Sequence, residues 1–181
     1  MEKGRSMRLF FALWPPPKVV ERLSEYACLS AAEIGGKATR PETLHLTLAF
    51  LGDQPEELLP DIIAAAQRVH CPLMDVVIDR IEAWRHNRLL CAGISQPEKL
   101  VPLHETLLAM LRAQAIPSDD EAHQFVPHVT LVRKLPDRAF PFASRKISIA
   151  PWQSKDFALV ESVRPSAGAN YRTIATFPLW V

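Results

Sequence analysis

Pro41-Glu42-Thr43-Leu44-His45-Leu46-Thr47-Leu48-Ala49-Phe50-Leu51-Gly52 opens on a proline, closes on a glycine and is rich between them in residues that favour strands. The reading is a strand over residues 44–51. Side chains alternate across a strand, so His45 and Thr47 fall on one face and Leu46, Leu48 and Phe50 on the other. The pattern returns as His128-Val129-Thr130-Leu131, again behind a proline, Pro127. Each copy sets an imidazole beside a hydroxyl and turns its aliphatic side chains the opposite way. With six histidines and seven threonines in the chain, random placement gives about 0.2 His-x-Thr matches, and roughly 0.05 once apolar flanks are required. A lone histidine in a strand is ordinarily a satisfied core residue and a lone threonine an ordinary β-former. Two matched copies call for another explanation.

Outward from these strands the chain reads as mixed α and β. Residues 1–6 are polar and read as frayed, and residues 7–13 as a buried strand closed by Pro15, Pro16 and Pro17. Val19, Val20, Leu23, Tyr26, Ala27 and Ser30 recur at helical spacing from Lys18, with Gly35 and Gly36 as the exit. Asp53 and Glu56 resemble a capping box opening a helix through Val69, kinked or displaced by Pro60. Residues 75–84 and 88–94 read as a hairpin around His86 and Asn87. Leu100, Leu103, Leu107, Leu108 and Leu111 stripe a helix over residues 97–115, with Pro102 in its first turn. Strands follow over 128–134, 155–163 and 171–177, the last two joined through Ser166 and Gly168. This order is α+β rather than a βα alternation. The repeated motif suggests two lobes of related topology, each presenting one histidine strand.

Composition narrows the function classes. The 181 residues, 48% hydrophobic and 23% charged, suit one globular unit of two packed lobes, 1–181, with a core that needs no staples. Cys28, Cys71 and Cys91 are odd in number and widely spaced, so neither a disulfide framework nor a zinc knuckle is expected. The apolar run after Arg8 is too short for a signal-peptide core, and no window approaches the ~20 apolar residues of a membrane span; a soluble, cytoplasmic chain with no membrane partner is expected. A net charge of +1 argues against a broad basic surface for long nucleic acids and leaves room for a local phosphate site. His104-Glu105 lacks a second histidine four residues on, and His70-Cys71 has no spaced partner, so no metal is expected. His86 and His123 read as loop residues. Neither a phosphate-binding Gly-Lys loop nor a Gly-x-Ser-x-Gly elbow is present.

Two imidazoles facing one cleft suit a reaction that removes a proton from an attacking oxygen and gives one to a leaving oxygen. Phosphodiester cleavage without a metal is such a reaction. The ordinary imidazole pKa, about 6.5, lets one ring be neutral and the other protonated near neutral pH. Thr47 and Thr130 can donate to nonbridging phosphate oxygens as their charge grows.

The chain resembles the two-histidine phosphoesterase superfamily and, within it, the RNA 2′,3′-cyclic phosphodiesterases also described as 2′-5′ RNA ligases. The resemblance spans most of the chain. It runs from Arg8-Leu9-Phe10-Phe11-Ala12-Leu13 through the first motif in its setting to Phe125-x-Pro127-His128-Val129-Thr130-Leu131-x-Arg133, then Glu161-Ser162, Tyr171 and Phe177-Pro178-Leu179. It implies a two-lobed, pseudo-symmetric α+β fold, with antiparallel sheets, outer helices and a central cleft that takes one histidine from each lobe. It also implies hydrolysis of RNA 2′,3′-cyclic phosphate ends to 2′-phosphates with no cofactor, His45 and His128 being catalytic and Thr47 and Thr130 binding phosphate. Water activation is assigned to His128 and leaving-group protonation to His45, although the motif does not distinguish them. Arg133 is a phosphate-binding candidate. It stands five residues beyond His128, so an unbroken strand would point it to the opposite face, and its involvement requires a bulge or the strand's end.

Phe11, Trp84, Phe125 and Tyr171 are candidates for stacking a nucleobase, Phe125 and Phe11 ahead of Trp84 because they lie on or just before the motif strands. Arg40, Lys134, Arg138, Arg145 and Lys146 are weaker candidates for guiding the RNA backbone. Alternative readings are action on 2′,5′-linked oligonucleotides or small cyclic nucleotides, ATP-independent 2′-5′ ligation, and a non-catalytic RNA-end binding module. A monomer is expected, because a cleft closed by two lobes of one chain needs no partner.

Overall fold

In the computed structural model, residues 5–122, 124–140, 142–163 and 170–180 are described. The strands are β1 (Ser6–Leu13), β2 (Lys37–Ala38), β3 (Leu46–Pro55), β4 (Met74–Val76), β5 (Ile78–Trp84), β6 (Leu89–Ile94), β7 (His128–Arg133), β8 (Arg145–Lys146), β9 (Trp152–Ser154), β10 (Asp156–Val163) and β11 (Asn170–Pro178). The helices are α1 (Pro17–Ile34), α2 (Leu59–Gln67) and α3 (Val101–Ala113). The main sheet runs β11-β10-β1-β3-β7-β6-β5-β8, with β2 added beside β7, and its ladders are antiparallel. A separate pair joins β4 to β9.

Two four-stranded halves, β11-β10-β1-β3 and β7-β6-β5-β8, meet along β3 and β7. Their ladder consists of one residue pair, Leu46 opposite Val129. Outward from it each half continues the same way, through β1 and then β10 on one side and β6 and then β5 on the other. The two sheets expected from the sequence are thus one hydrogen-bonded path, pinched at its centre. The helices cross over: α1, which follows β1, packs on β7 and β2, whereas α3, which follows β6, packs on β3 and α2.

Alternation explains the core. Met7, Leu9, Phe11 and Leu13 of β1 join Leu46, Val129, Val19 and Leu23 of α1, and Leu103 and Leu107 of α3 in one large buried cluster. The intervening residues face away: Phe10, Ala12, Ala158 and Val160, with Trp14, Phe50 and Tyr171 against them, form a second, smaller cluster. Phe50 departs from the expected alternation. Ala12 pairs with Thr47 but Phe11 with Ala49, so Leu48 is an extra residue and Ala49 and Phe50 change face; Phe10 pairs with Phe50 but Leu9 with Gly52, so Leu51 is a second extra residue that restores the original alternation.

Other sequence expectations shift in detail. β3 runs on to Pro55 where a capping box was expected, and α2 starts at Leu59, with Pro60 in the first turn and no side-chain cap. There the missing N–H costs nothing, so the proline starts the helix instead of kinking it. α3 starts at Val101 behind a short 3-10 turn, Pro97–Lys99, with Pro102 in its first turn as expected. The joint expected at Ser166 and Gly168, and the loop at His123, lie outside the described residues. Among the described residues, no helix is long and apolar enough to cross a membrane.

Candidate active site

His45 stands immediately before β3 and His128 is the first residue of β7. Both rings are held alike. Nδ1 of His45 lies 2.7 Å from the carbonyl oxygen of Thr43, and Nδ1 of His128 lies 2.8 Å from that of Val126, in each case two residues earlier in the chain. A carbonyl only accepts, so Nδ1 donates its proton in both rings and Nε2 is left to exchange one. The chain bends back to make this contact through the 3-10 turn Pro41–Thr43 before His45 and through Pro127 before His128. Because Leu46 opposes Val129 in an antiparallel pair, the motifs pass each other head to tail. Thr47 falls beside His128, and Thr130 beside His45.

Arg133 reaches the same face through a bulge. Cys91 of β6 pairs with Thr130 and Leu90 with Val132, leaving Leu131 as the extra residue. Leu131 and Val132 are both buried and Arg133 emerges exposed. The guanidinium then lies close enough to both imidazoles to lower their pKa values.

The two rings differ in surroundings. His45 is enclosed by aromatics, with ring centroids 5.0 Å from Phe10, 5.1 Å from Tyr171 and 5.7 Å from Trp14. Burial there pushes its pKa down to about 4, helped by the Arg133 and His128 charges and opposed by the Thr43 carbonyl. His128 is also lowered, by burial first and by Arg133, while the Val126 carbonyl and the Glu82 carboxylate work the other way. The Trp84 ring lies 4.4 Å from that of His128. A cavity of about 810 Å³ opens beside His128, lined by Thr47, Trp84, His86, Asn87, Gln124 and Phe125 among others. Its other boundary is the edge of β3 beyond the pinch. There the 117–120 segment takes over from β7, Asp120 accepting from the Phe50 N–H at 2.5 Å and the Ser118 hydroxyl donating to the Phe50 carbonyl at 3.1 Å.

The structure therefore brings His45, Thr47, His128, Thr130 and Arg133 to one face. Phe125 lines the cavity, its ring stacked flat on His104 with centroids 4.1 Å apart, and the His104 Nδ1 is 2.7 Å from the Leu48 carbonyl. Phe11 is a correction. It is fully buried against Phe157 and Phe177 in the core and has no face to offer a base. Its neighbour Phe10 takes the place beside His45, and Trp84, the weaker candidate from sequence, is the aromatic beside His128. The run Leu9 to Leu13 is apolar on both faces, so its alternation gave no sign of which phenylalanine turned to the cleft; the parity of Phe10 with Arg8 was the available clue. Arg145, a candidate for guiding RNA, is tied to Glu33 at 2.5 and 2.7 Å. Among the described residues, no three His, Cys, Asp or Glu side chains gather in a metal-binding group.

This geometry has relatives. Residues 13–90 match the family model described as LigT like Phosphoesterase. A protein named RNA 2′,3′-cyclic phosphodiesterase from Thermus thermophilus is 31% identical over 190 residues, covering 96% of this chain and 90% of its own. The chain belongs to the LigT-like phosphoesterase family. A second family member of the same name, from Escherichia coli, is 31% identical over 147 residues, 80% of this chain and 77% of that protein. The crystal structure of E. coli LigT in apo form shares the fold with a TM-score of 0.87 at 23% identity, covering 98% of this chain and all of that one (100%). The match bears out the resemblance and the α+β fold with its antiparallel strands.

Proposed function

We propose that this LigT-like phosphoesterase hydrolyses RNA 2′,3′-cyclic phosphate ends to 2′-phosphates, with His45 as base and His128 as acid. The observation that carries the reading is the pair of imidazoles, each fixed through Nδ1 to its own strand's approach and set on either side of a one-residue seam. The relatives' activity supports the substrate class.

The roles follow from the cavity. In an in-line displacement, the attacking and leaving oxygens sit on opposite sides of phosphorus. The leaving O3′ belongs to the ribose, so the acid stands on the side where a nucleoside fits. That side is the cavity at His128, with Trp84 and Phe125 as walls for a base. The enclosed His45, its pKa held near 4, is neutral at pH 7 and suited to take a proton from water. This reverses the assignment expected from the motif alone. Water attacks phosphorus as His45 takes its proton; the P–O3′ bond breaks and His128 protonates O3′, leaving the 2′-phosphate. Thr47, Thr130 and Arg133 bind the nonbridging oxygens, whose added charge the guanidinium offsets.

The test is turnover of a nucleoside or short-RNA 2′,3′-cyclic phosphate in EDTA, with the product isomer identified, for wild type, His45→Ala and His128→Ala. Formation of a 2′-phosphate, falling at least ~10²-fold in each variant, is expected. Full activity in either variant would overturn the acid-base pair. Inertness of the wild type would move the search to 2′,5′-linked oligonucleotides, small cyclic nucleotides or a binding role. A 5′-hydroxyl in place of water would give a 2′-5′ linkage, read in the same assay by adding an acceptor strand.

A further inference from the structure

The two halves place their motifs symmetrically, but what stands two strands away is not symmetric. Outward from the seam, Thr47 pairs with Ala12 of β1, which pairs with Ala158 of β10. On the other side Thr130 pairs with Cys91 of β6, which pairs with Glu82 of β5. The symmetry-related positions thus hold a methyl group near His45 and a carboxylate near His128. Glu82 lines the same cavity as His128, and its side chain keeps about 30% of its surface exposed. Arg80, whose side chain lies over Gly93, the residue paired with His128, holds Glu82 at 3.7 Å from its Nε.

We propose that Glu82 is the positioning residue that breaks the pseudo-symmetry, keeping the acid's proton on His128 and leaving His45 as the base. The proposal rests on the hydrolytic reading above and explains why one of two equivalent motifs takes the acid role. Other charged or titratable groups around His128 do not favour its protonated form in the same way. Arg133 at the end of β7, and Arg80 and Arg85 on β5 and its turn, are cations; His86, His104 and the His45 ring add no negative charge. Asp120, across the cavity, is engaged by the Phe50 N–H, and Lys146 of β8 pairs with Arg80 on the far side of β5. The thiol of Cys91, the ladder partner of Glu82, is pushed up to about 12 by burial and stays neutral. Among the described residues, Glu82 is the carboxylate whose charge acts on this ring, and its effect on the His128 pKa is upward.

The experiment reads ring titrations and the pH profile together. In wild type, Glu82→Gln and Glu82→Asp, the His45 and His128 ring protons are followed by NMR, assigned through His45→Gln and His128→Gln, and kcat/KM on a 2′,3′-cyclic nucleotide is measured across pH. Removing the carboxylate is expected to lower the His128 midpoint by about 0.5 to 1 unit, with His45 unmoved. Because the acid must be protonated, the high-pH limb of kcat/KM should move to lower pH by the same amount while the low-pH limb stays. Glu82→Asp, which keeps the charge, should restore most of both shifts. A change confined to His45 and the low-pH limb, or no shift in either ring, would overturn the assignment. A wild type inert on the cyclic phosphate, with the His128 shift intact, would overturn the hydrolytic reading alone.

Discussion

Phe10 and Phe11 are adjacent, chemically identical and opposite in consequence. Phe11→Leu should remove buried ring atoms from the core, cost about 1 to 2 kcal/mol in chemical denaturation and leave the pH profile unchanged. Phe10→Leu opens the aromatic enclosure of His45. Burial is what holds that pKa near 4, so loosening it lets the pKa rise toward about 6.5. With His45 as the proposed base, the ring is then protonated at higher pH, and the low-pH limb of kcat/KM should move up. A Phe10→Leu profile identical to wild type would refute this. The histidines and threonines were legible because alternation carries them to one face whatever the rest of the chain does. Phe10, Glu82 and the His104–Phe125 stack were not, because each depends on which strand lies alongside, which sequence spacing does not encode.

Among the elements, β7 shows how a local irregularity re-aims a side chain. The need for a bulge before Arg133 followed from the two-residue period; its location at Leu131 did not, since Leu131-Val132 reads equally well as an unbroken strand. β2 pins the bulged end, Lys37 pairing with Arg133 and Ala38 with Val132, and the Thr39 N–H donating to the Leu131 carbonyl at 2.8 Å. Gly36 permits the approach. Its φ is +94°, and a Cβ there would lie 2.7 Å from Val132 Cγ1 and 2.8 Å from the Arg133 carbonyl oxygen. Gly36→Ala should therefore destabilise the fold by about 2 kcal/mol or more, through strain and contact. It should also lower kcat/KM beyond any loss of folded protein, because the displaced backbone carries Arg133. An active, fully stable Gly36→Ala variant would count against this account of the bulge. The glycines were legible as a helix exit, but their second use against β7 was visible only once the strands were paired.

At the scale of the molecule, a buried imidazole makes stability depend on pH. The His45 pKa falls from about 6.5 in the unfolded chain to about 4 in the native one. Above about 6.5 the ring is neutral in both states. Between those two values the unfolded chain binds the extra proton, so stability is lost as pH falls through this window, by about 3 kcal/mol for this ring. Denaturation midpoints measured from about pH 7 down to about pH 4 should show this fall, and His45→Gln should flatten it; an equally steep fall in that variant would place its origin elsewhere. The α+β class and the paired lobes were readable from element order and the repeated motif. The crossing of α1 and α3 to opposite halves was not, since helix amphipathicity states that a face is buried but not against what. The sheet order carries one further consequence. β5, β6, β7 and β8 come from one continuous stretch of chain, whereas β1 pairs with β10, Leu9 lying opposite Glu161. During synthesis, then, the half that carries His128 has all its strands first. The half that carries His45 has its histidine early and must hold β1 and β3 incomplete until β10 and β11 emerge, so His45, translated before His128, is the later of the two to find its place.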